Sequence, residues 1–469
     1  MALGWLYMAR RLNIAARSAL PIAVLLIVAL AFAAAAERFL AEPYQLRLFA
    51  GGLVSCAVTL IAAVALRYAL PDAPDWFVHT LLLITLAALM IRLIGVLYPS
   101  FLSHDLWVNG RRLYSVQTGT LSLFDRPSEF SRRIVTVSPS AFILAAPLGL
   151  IGDRGIALHG LYSILDGTTA LLVAVLARRL GLSWGGSLAA GALIAVLPMY
   201  MTALYWGFVK QIVGQWLTLL LLVIVAGPVP HSRIAWFAVA ALCTVNLLIH
   251  PGGLLLSGVC LGLYVLIGGG VQLRTVLQSG SRDLPTALRS SELAPWRGWF
   301  FCFGAAALAA LALQYADTAI LVIGGMLSGA TESPLGTNQQ ADQSARLWQI
   351  WVGLRASFEP LTLLLVALGL PALFHRGQGT ARLLAACWLA SGALFLLVDI
   401  ATGQQVRYGY FVAPLVCVGV AALTERLLAR PFGRVAVIAL VALVAFAGTQ
   451  LWLAAALEGM RPSVNPLTH

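Results

Sequence analysis

Apolar stretches that approach or reach the length of a membrane span recur along most of this 469-residue chain. A spanning helix needs about 20 predominantly apolar residues. Because lipid offers no hydrogen-bond partners to an exposed backbone, single spanning segments are helical. The sequence therefore predicts an all-α integral membrane protein with about 13 transmembrane helices. The apolar windows lie near 20–36, 48–66, 76–98, 156–177, 185–205, 206–226, 234–250, 253–268, 298–316, 360–374, 382–399, 408–424 and 434–456.

Charged residues are scarce, which excludes a soluble enzyme. The chain is 60% apolar and 10% charged, whereas soluble domains carry about 25% charged residues. The net charge of +12 comes from basic residues in short segments between the apolar windows. No continuous basic stripe is present for a nucleic acid to bind. Membrane lipids, rather than nucleic acid, are therefore the predicted partners of these charges.

The six cysteines all fall inside apolar runs, and no two of them have C-x-x-C spacing. Neither a zinc site nor a disulfide framework is indicated by this pattern. They are predicted to be small buried hydrophobic residues. Their positions are Cys56, Cys243, Cys260, Cys302, Cys387 and Cys417.

Arginines concentrate on one set of segments between the spans, and this predicts the orientation of the chain. Short cytoplasmic loops are enriched in Arg and Lys. The N-terminus, which belongs to the more basic set, is therefore predicted in the cytoplasm and the C-terminus outside, in the cell's inner (plasma) membrane. The basic set is Arg10, Arg11, Arg17, Arg67, Arg178, Arg179, Arg233, Arg274, Arg282, Arg289, Arg297, Arg376, Arg382, Arg426, Arg430 and Arg434.

Two long segments between predicted spans fall on the outer face, 99–155 and 317–359. The predicted organisation is a set of N-terminal helices over 1–75 and a transmembrane core over 76–430, which contains both outer loops. A last helix and an outer tail follow over 431–469.

The first outer loop is predicted to contain two helices that lie along the membrane surface. Asp105–Gln117 combines apolar positions with aromatic residues typical of the interface. Within it, Asp105, Asn109 and Arg112 are spaced i, i+4, i+7 and share one face. A second apolar stretch, Ala141–Ile151, is too short to span and is predicted to be another surface helix.

Six arginines in this first outer loop run against the orientation trend. Two explanations remain open for them. They contact anionic lipid headgroups, or they recognise the phosphate or pyrophosphate of a lipid substrate. They are Arg111, Arg112, Arg126, Arg132, Arg133 and Arg154.

A charged residue lies in the middle of an apolar window. Asp166 is about ten residues inside its helix, which at 1.5 Å per residue places it near the centre of the membrane. A charge at that depth is costly unless it is paired. Arg92, inside the window 76–98, is the predicted partner. The pair is either structural or part of the floor of a cavity that opens to the outside.

Several short motifs occur in an order that resembles the GT-C superfamily of membrane glycosyltransferases, over roughly residues 83–426. Members are multi-span enzymes that use polyprenyl-phosphate sugars, and several have thirteen helices. The resemblance implies an outer-face enzyme whose partner is a lipid-linked sugar donor. The motifs are Ser103-His104-Asp105-Leu106, Val137-Ser138-Pro139-Ser140, Leu176-Ala177-Arg178-Arg179-Leu180-Gly181, Ala195-Val196-Leu197-Pro198 and Gln405-Val406-Arg407-Tyr408, the last followed by Pro414.

The resemblance implies a catalytic role for Asp105. The first-loop acid of this family acts as a base toward the acceptor hydroxyl or helps to hold a divalent cation such as Mg²⁺ or Mn²⁺, and a carboxylate suits either task. His104 is a candidate second base or ligand. The alternatives are an N-terminal helix cap for Asp105 and a solvated interfacial histidine for His104.

The resemblance also implies sites for the donor. By the family pattern, Arg407 binds the lipid phosphate through charge-assisted hydrogen bonds, with Tyr408 beside it; the alternative is a pair of interfacial anchors. Lys210, the chain's single lysine, either neutralises that phosphate or extends to the headgroups.

Three further residues belong to the candidate substrate site. Arg111 and Arg112, in the first outer loop, would stabilise the departing phosphate. His250 either faces the cavity or simply satisfies the Pro-Gly turn that follows it.

Three functions are compatible with the sequence. The first is a glycosyltransferase that moves a sugar from a polyprenyl-phosphate donor to an acceptor on the outer face. The second is a non-catalytic subunit of a membrane complex with the same architecture, favoured by Leu106 standing where many family members have a second acid. A secondary transporter ranks last, because no inverted repeat is evident.

Overall fold

The computed structural model describes residues 42–98, 101, 103–120, 124–125, 135–136, 138–147, 154–279, 284–316, 369, 379–402 and 409–457. Its regular secondary structure in the described ranges is helical except for one antiparallel pair of two-residue strands, β1 (Phe124–Asp125) and β2 (Val135–Thr136). The helices are α1 (Glu42–Ala69), α2 (Asp75–Val96), α3 (Leu106–Gln117), α4 (Ser140–Ala145), α5 (Arg154–Arg179), α6 (Trp184–Val196), α7 (Pro198–Trp206), α8 (Val209–Val225), α9 (Arg233–Ile249), α10 (Val259–Gln278), α11 (Leu284–Arg289), α12 (Ala294–Ala310), α13 (Gly379–Thr402), α14 (Gly409–Leu428) and α15 (Pro431–Leu457).

Seven segments in the described ranges are helical, long and apolar enough to cross a membrane, and four more are apolar but shorter. They coincide with eleven of the predicted windows, so an all-α, membrane-embedded protein is confirmed. The windows near 20–36 and 360–374 lie outside the described residues, apart from Gly369, and the total of thirteen stays a prediction. The seven are Arg47–Ala69, Asp75–Val96, Leu158–Arg179, Trp184–Trp206, Leu256–Gln278, Ser291–Tyr315 and Phe432–Ala456, and the four are Val209–Val225, Arg233–Ile249, Gly379–Phe395 and Tyr410–Glu425.

Among the seven long spans, α5 and the pair α6 and α7 are the most deeply buried, whereas α12 and α15 are mostly exposed. The shorter α14 is also buried almost throughout 410–425. Small residues allow the central helices to approach closely. A methyl group on Gly191 of α6 would lie 2.9 Å from the carbonyl oxygen of Ala170 on α5. All six cysteines are buried and unpaired by disulfides, as the sequence predicts.

The window 185–205 is interrupted in the structure, a feature that the sequence prediction of one continuous span did not include. Leu197 is extended, with φ −63° and ψ 129°, and α7 starts at Pro198. Proline has no backbone N–H and cannot continue the hydrogen bonding of α6. The last described helix, α15, lies directly over this break, because a methyl group on Gly448 would be 2.1 Å from the carbonyl oxygen of Val196.

The boundary between the next two spans also differs from the prediction. The windows placed it between residues 205 and 206, whereas α7 ends at Trp206 and α8 begins at Val209. Gly207 separates them in the left-handed region, with φ 68°. Glycine adopts this conformation without the steric cost that a side chain incurs.

One end of the bundle gathers arginines that hold backbone carbonyls. Arg179 donates to the carbonyl oxygens of Ala69, at 3.0 Å, and Val223, and so joins the ends of α1, α5 and α8. Arg67 donates to the Ala73 oxygen at 2.8 Å. Positive charge at the C-terminal end of a helix is favourable, because the free carbonyls there are partly negative. These residues belong to the set predicted in the cytoplasm, and their side of the membrane stays a prediction.

The surface helices of the first outer loop are partly as predicted. Helix α3 begins one residue later than expected, and its inward face carries Asn109 and Leu113, which are buried. Trp107 is 73% exposed on the other face, as expected for an interfacial aromatic residue. The second helix, α4, covers Ser140–Ala145 rather than 141–151, and most of the remainder lies outside the described residues.

Candidate functional site

The described candidate residues lie at the end of the bundle opposite Arg179. Helices α5 and α8 both begin at this end, and both finish beside the arginine end. The candidates at this end are His104, Asp105, Arg111, Arg112, Lys210 and His250. Arg407 and Tyr408 lie outside the described residues, immediately before α14.

The segment that carries Asp105 is docked on the turn between α7 and α8. The side-chain amide of Asn109 donates to the carbonyl oxygen of Gly207 at 2.9 Å, and the backbone N–H of His104 donates to the Tyr205 oxygen at 2.9 Å. Asp105 occupies the N-cap position of α3, but its side chain makes no capping hydrogen bond. Asp105 thus has the position of the helix-cap alternative without its hydrogen bond, and both interpretations of this residue stay open.

Gly207 permits the close approach between the two segments. A methyl group on this residue would lie 3.2 Å from the hydroxyl of Ser103 and 3.5 Å from the Cβ of Asp105. The Asp105 side chain therefore leaves α3 directly over the α7–α8 turn. It is partly buried there, which is compatible with access from one side only.

Gly207→Ala is expected to destabilise the protein by about 1–2 kcal/mol, because a side chain in the left-handed region is strained. The neighbouring Ser103 would also have to shift. Thermal unfolding in detergent measures the change. The matched control is Gly262→Ala in α10, where a methyl group meets nothing within 4 Å. The control should be neutral or stabilising by up to about 1 kcal/mol, and equal losses in both variants would contradict the assignment.

A histidine that the sequence analysis did not single out anchors the same segment. The Nε2 atom of His159, on α5, lies 3.0 Å from the Oγ of Ser103, and both residues are buried. The His159 ring also packs edge-on against Phe101 at 5.3 Å between centroids. The sequence feature that could have indicated this role of His159 is its position as a polar residue near the start of an apolar span.

Lys210 lies in the first turn of α8, one turn beyond Gly207. Its Nζ atom is 5.7 Å from the centroid of the Phe142 ring on α4, within the range of a cation–π contact. The side chain is partly buried. The structure thus places the single lysine beside the second surface helix, α4, and close in sequence to the turn that Asp105 covers.

His250 takes part in the turn that follows it, since its Nδ1 accepts a hydrogen bond from the Gly252 N–H at 2.9 Å. Its ring also stacks on Phe411 of α14, with 5.4 Å between centroids. Phe411 follows Arg407 by four residues. His250 therefore contacts the helix that Arg407 precedes, in addition to satisfying its own turn.

The loop arginines are used in different ways. Arg111 is exposed and lies 5.6 Å from the Trp107 ring on the same helix. Arg112 is partly buried. Arg154, by contrast, donates to Gln117 at 2.9 Å and lies over Tyr114, so it joins α5 to α3. The other three arginines of this loop, Arg126, Arg132 and Arg133, lie outside the described residues.

The described residues contain no metal site made of protein ligands alone. Nowhere in the described ranges do three or more His, Cys, Asp or Glu side chains gather in a way that could hold a metal ion. Mg²⁺ is commonly held by one or two carboxylates together with substrate phosphates and water. A metal-binding role of Asp105 therefore stays a prediction.

The predicted ion pair in the membrane interior is confirmed. The Arg92 Nε donates to one carboxylate oxygen of Asp166, and both side chains are fully buried. The hydroxyl of Tyr410, which the sequence analysis did not connect to this pair, donates to the other oxygen at 2.8 Å. Three helices, α2, α5 and α14, meet at this carboxylate.

No protein-family model matches this sequence, and no curated protein is similar to it. The relationship to the GT-C superfamily thus stays a prediction.

Proposed function

We propose that this protein is a membrane glycosyltransferase that moves a sugar from a polyprenyl-phosphate donor to an acceptor hydroxyl at the outer face of the membrane. The observation that supports it most is the docking of Asp105 over the Gly207 turn, with Lys210 three residues further along the chain in the first turn of α8. A carboxylate and an ammonium group from distant parts of the chain thereby reach one end of the bundle.

In this proposal Asp105 is the general base. Its carboxylate accepts the proton of the acceptor hydroxyl, whose oxygen forms a bond to the anomeric carbon of the sugar. The bond from that carbon to the donor's phosphate oxygen breaks, and polyprenyl phosphate leaves with the electron pair. Asp105 is suited to this role because it is partly buried and lies over the Gly207 turn.

Lys210 is proposed to neutralise the leaving phosphate. The ammonium group is held near Phe142, in a partly buried setting where its charge is less screened than in bulk water. Arg407 and Tyr408 are proposed to bind the same phosphate from the start of α14, and Arg111 and Arg112 to approach it from the surface helix. Catalysis of this kind depends on positioning and on preorganised charge.

Release of polyprenyl phosphate tests the proposal. The purified protein in nanodiscs is incubated with radiolabelled polyprenyl-phosphate hexoses and pentoses and a membrane glycolipid extract as acceptor. We expect acceptor-dependent release, and an apparent donor affinity about tenfold weaker in Lys210→Gln, the loss of one charge-assisted interaction. Arg289→Gln, exposed at the opposite end, is the matched control and should behave as wild type.

Folded protein that releases no polyprenyl phosphate from any of these donors would overturn the proposal. The non-catalytic subunit would then be favoured, in particular if a second membrane protein copurifies in a fixed ratio.

A further inference from the structure

The break between α6 and α7 leaves backbone carbonyls without their helical partners, and Arg92 satisfies one of them. Its Nη1 donates to the Ala195 oxygen at 2.9 Å and to the Ala88 oxygen, on its own helix, at 3.1 Å. Because Leu197 is extended and Pro198 has no N–H, the regular hydrogen bonding of α6 stops here. A buried guanidinium on α2 thus holds the end of α6.

The other side of the break is held by an aromatic contact. Tyr200, in the first turn of α7, packs against Tyr410 of α14 with 4.5 Å between ring centroids and 31° between ring planes. Both rings are fully buried. A pair in this arrangement contributes about 0.5–1.5 kcal/mol beyond the area that it buries.

Asp166 connects these two contacts. One of its oxygens accepts from Arg92 and the other from Tyr410. A single carboxylate therefore orients both side chains that hold the broken helix, one before the break and one after it. Charge-assisted hydrogen bonds of this kind are about twice as strong as neutral ones.

We infer that Asp166, Arg92 and Tyr410 are positioning residues that set the direction of α7 and so keep the Gly207 turn docked under Asp105. Helix α7 has nine residues and is thus about 13 Å long. A tilt of about 10° at Pro198 would move its other end by ~2 Å over that length. Such a shift breaks the 2.9 Å hydrogen bonds that His104 and Asn109 make to the turn.

The inference rests on the proposed function only where it concerns the reaction. Its test therefore measures the docking of the Gly207 turn and uses no substrate. The six cysteines are replaced by alanine, and His104→Cys and Trp206→Cys are introduced, since these two rings lie 4.8 Å apart when the turn is docked. Cross-linking by dibromobimane in nanodiscs reports docking. In the otherwise unchanged protein we expect rapid cross-linking.

The decisive variant adds Arg92→Met with Asp166→Leu, which removes both charges together and so leaves no unpaired charge in the membrane. We expect cross-linking at least tenfold slower while the protein stays folded. Arg67→Met with Asp75→Leu removes a second ion pair, at the arginine end, and is the matched control. It should leave the rate unchanged.

Two milder variants keep the inference falsifiable if the decisive one does not fold. Tyr410→Phe keeps the ring contact with Tyr200 but loses the hydrogen bond to Asp166, and should slow cross-linking two- to fivefold. Arg92→Lys keeps the charge and should fall between wild type and the decisive variant. An unchanged rate in folded Arg92→Met/Asp166→Leu or in Tyr410→Phe, or an equal slowing in the control, would overturn the inference. A protein without transferase activity that gives the expected rates would overturn only the proposed function.

Discussion

Replacing Asp105 with asparagine is expected to lower sugar transfer by about 100-fold or more, the usual contribution of a general base. Asparagine has nearly the same shape but does not accept the proton of the acceptor hydroxyl. Asparagine is as favourable as aspartate at the N-cap position that Asp105 occupies, so the start of α3 should not change. The measurement is the turnover of polyprenyl-phosphate sugar in nanodiscs at saturating donor.

The matched control for this variant is Asp72→Asn. Asp72 is exposed in the segment between α1 and α2, at the arginine end, and its replacement should leave both turnover and thermal stability unchanged. Full turnover in Asp105→Asn would remove Asp105 from the mechanism. A lower unfolding temperature in Asp105→Asn, with turnover reduced only in proportion to the unfolded fraction, would show a structural role instead.

Asp166→Leu alone is expected to destabilise the protein by about 3–5 kcal/mol, because it leaves the Arg92 charge buried without its partner. Combining it with Arg92→Met should recover most of that loss, since a buried ion pair exchanged for apolar side chains of similar volume is often neutral or stabilising. Unfolding of the two single variants and the double variant in detergent gives the coupling free energy.

Additive effects would contradict this expectation, since additivity is typical of sites that do not interact. Arg67→Met and Asp75→Leu supply the comparison. This pair is partly exposed, and the coupling between such groups is about 0–1 kcal/mol. A coupling at the Arg92–Asp166 pair no larger than that would show that its charges are hydrated.

The parts of the fold that depend on local composition were predictable. Runs of apolar residues predicted eleven apolar helices, seven of them long enough to span a membrane, and the pattern of Asp105–Gln117 predicted a surface helix within one residue. The Arg92–Asp166 pair was also predictable, because a charge in an apolar span requires a partner and few were available. In each case the residues of one segment, and the free energy of placing them in water or in lipid, are enough to make the prediction.

Contacts that depend on how distant helices pack were not predictable. Pro198 marks a possible break, but only the approach of α15 and of Arg92 shows how the break is accommodated. His159 and Tyr410 are ordinary residues near helix starts, and nothing in their local sequence indicates that they bond to Ser103 and Asp166. The partners of His159 and Tyr410 lie 56 and 244 residues away in the sequence. These contacts can therefore be recognised only in the three-dimensional structure.

The position of Gly448 over the break has a consequence for biogenesis. The ribosome synthesises α15 long after Val196, so this contact is absent until almost all of the described chain has been made. Only a residue without a side chain fits over the carbonyl at the observed spacing. The packing of α15 on the region around Pro198 therefore depends on the last described helix to be synthesised.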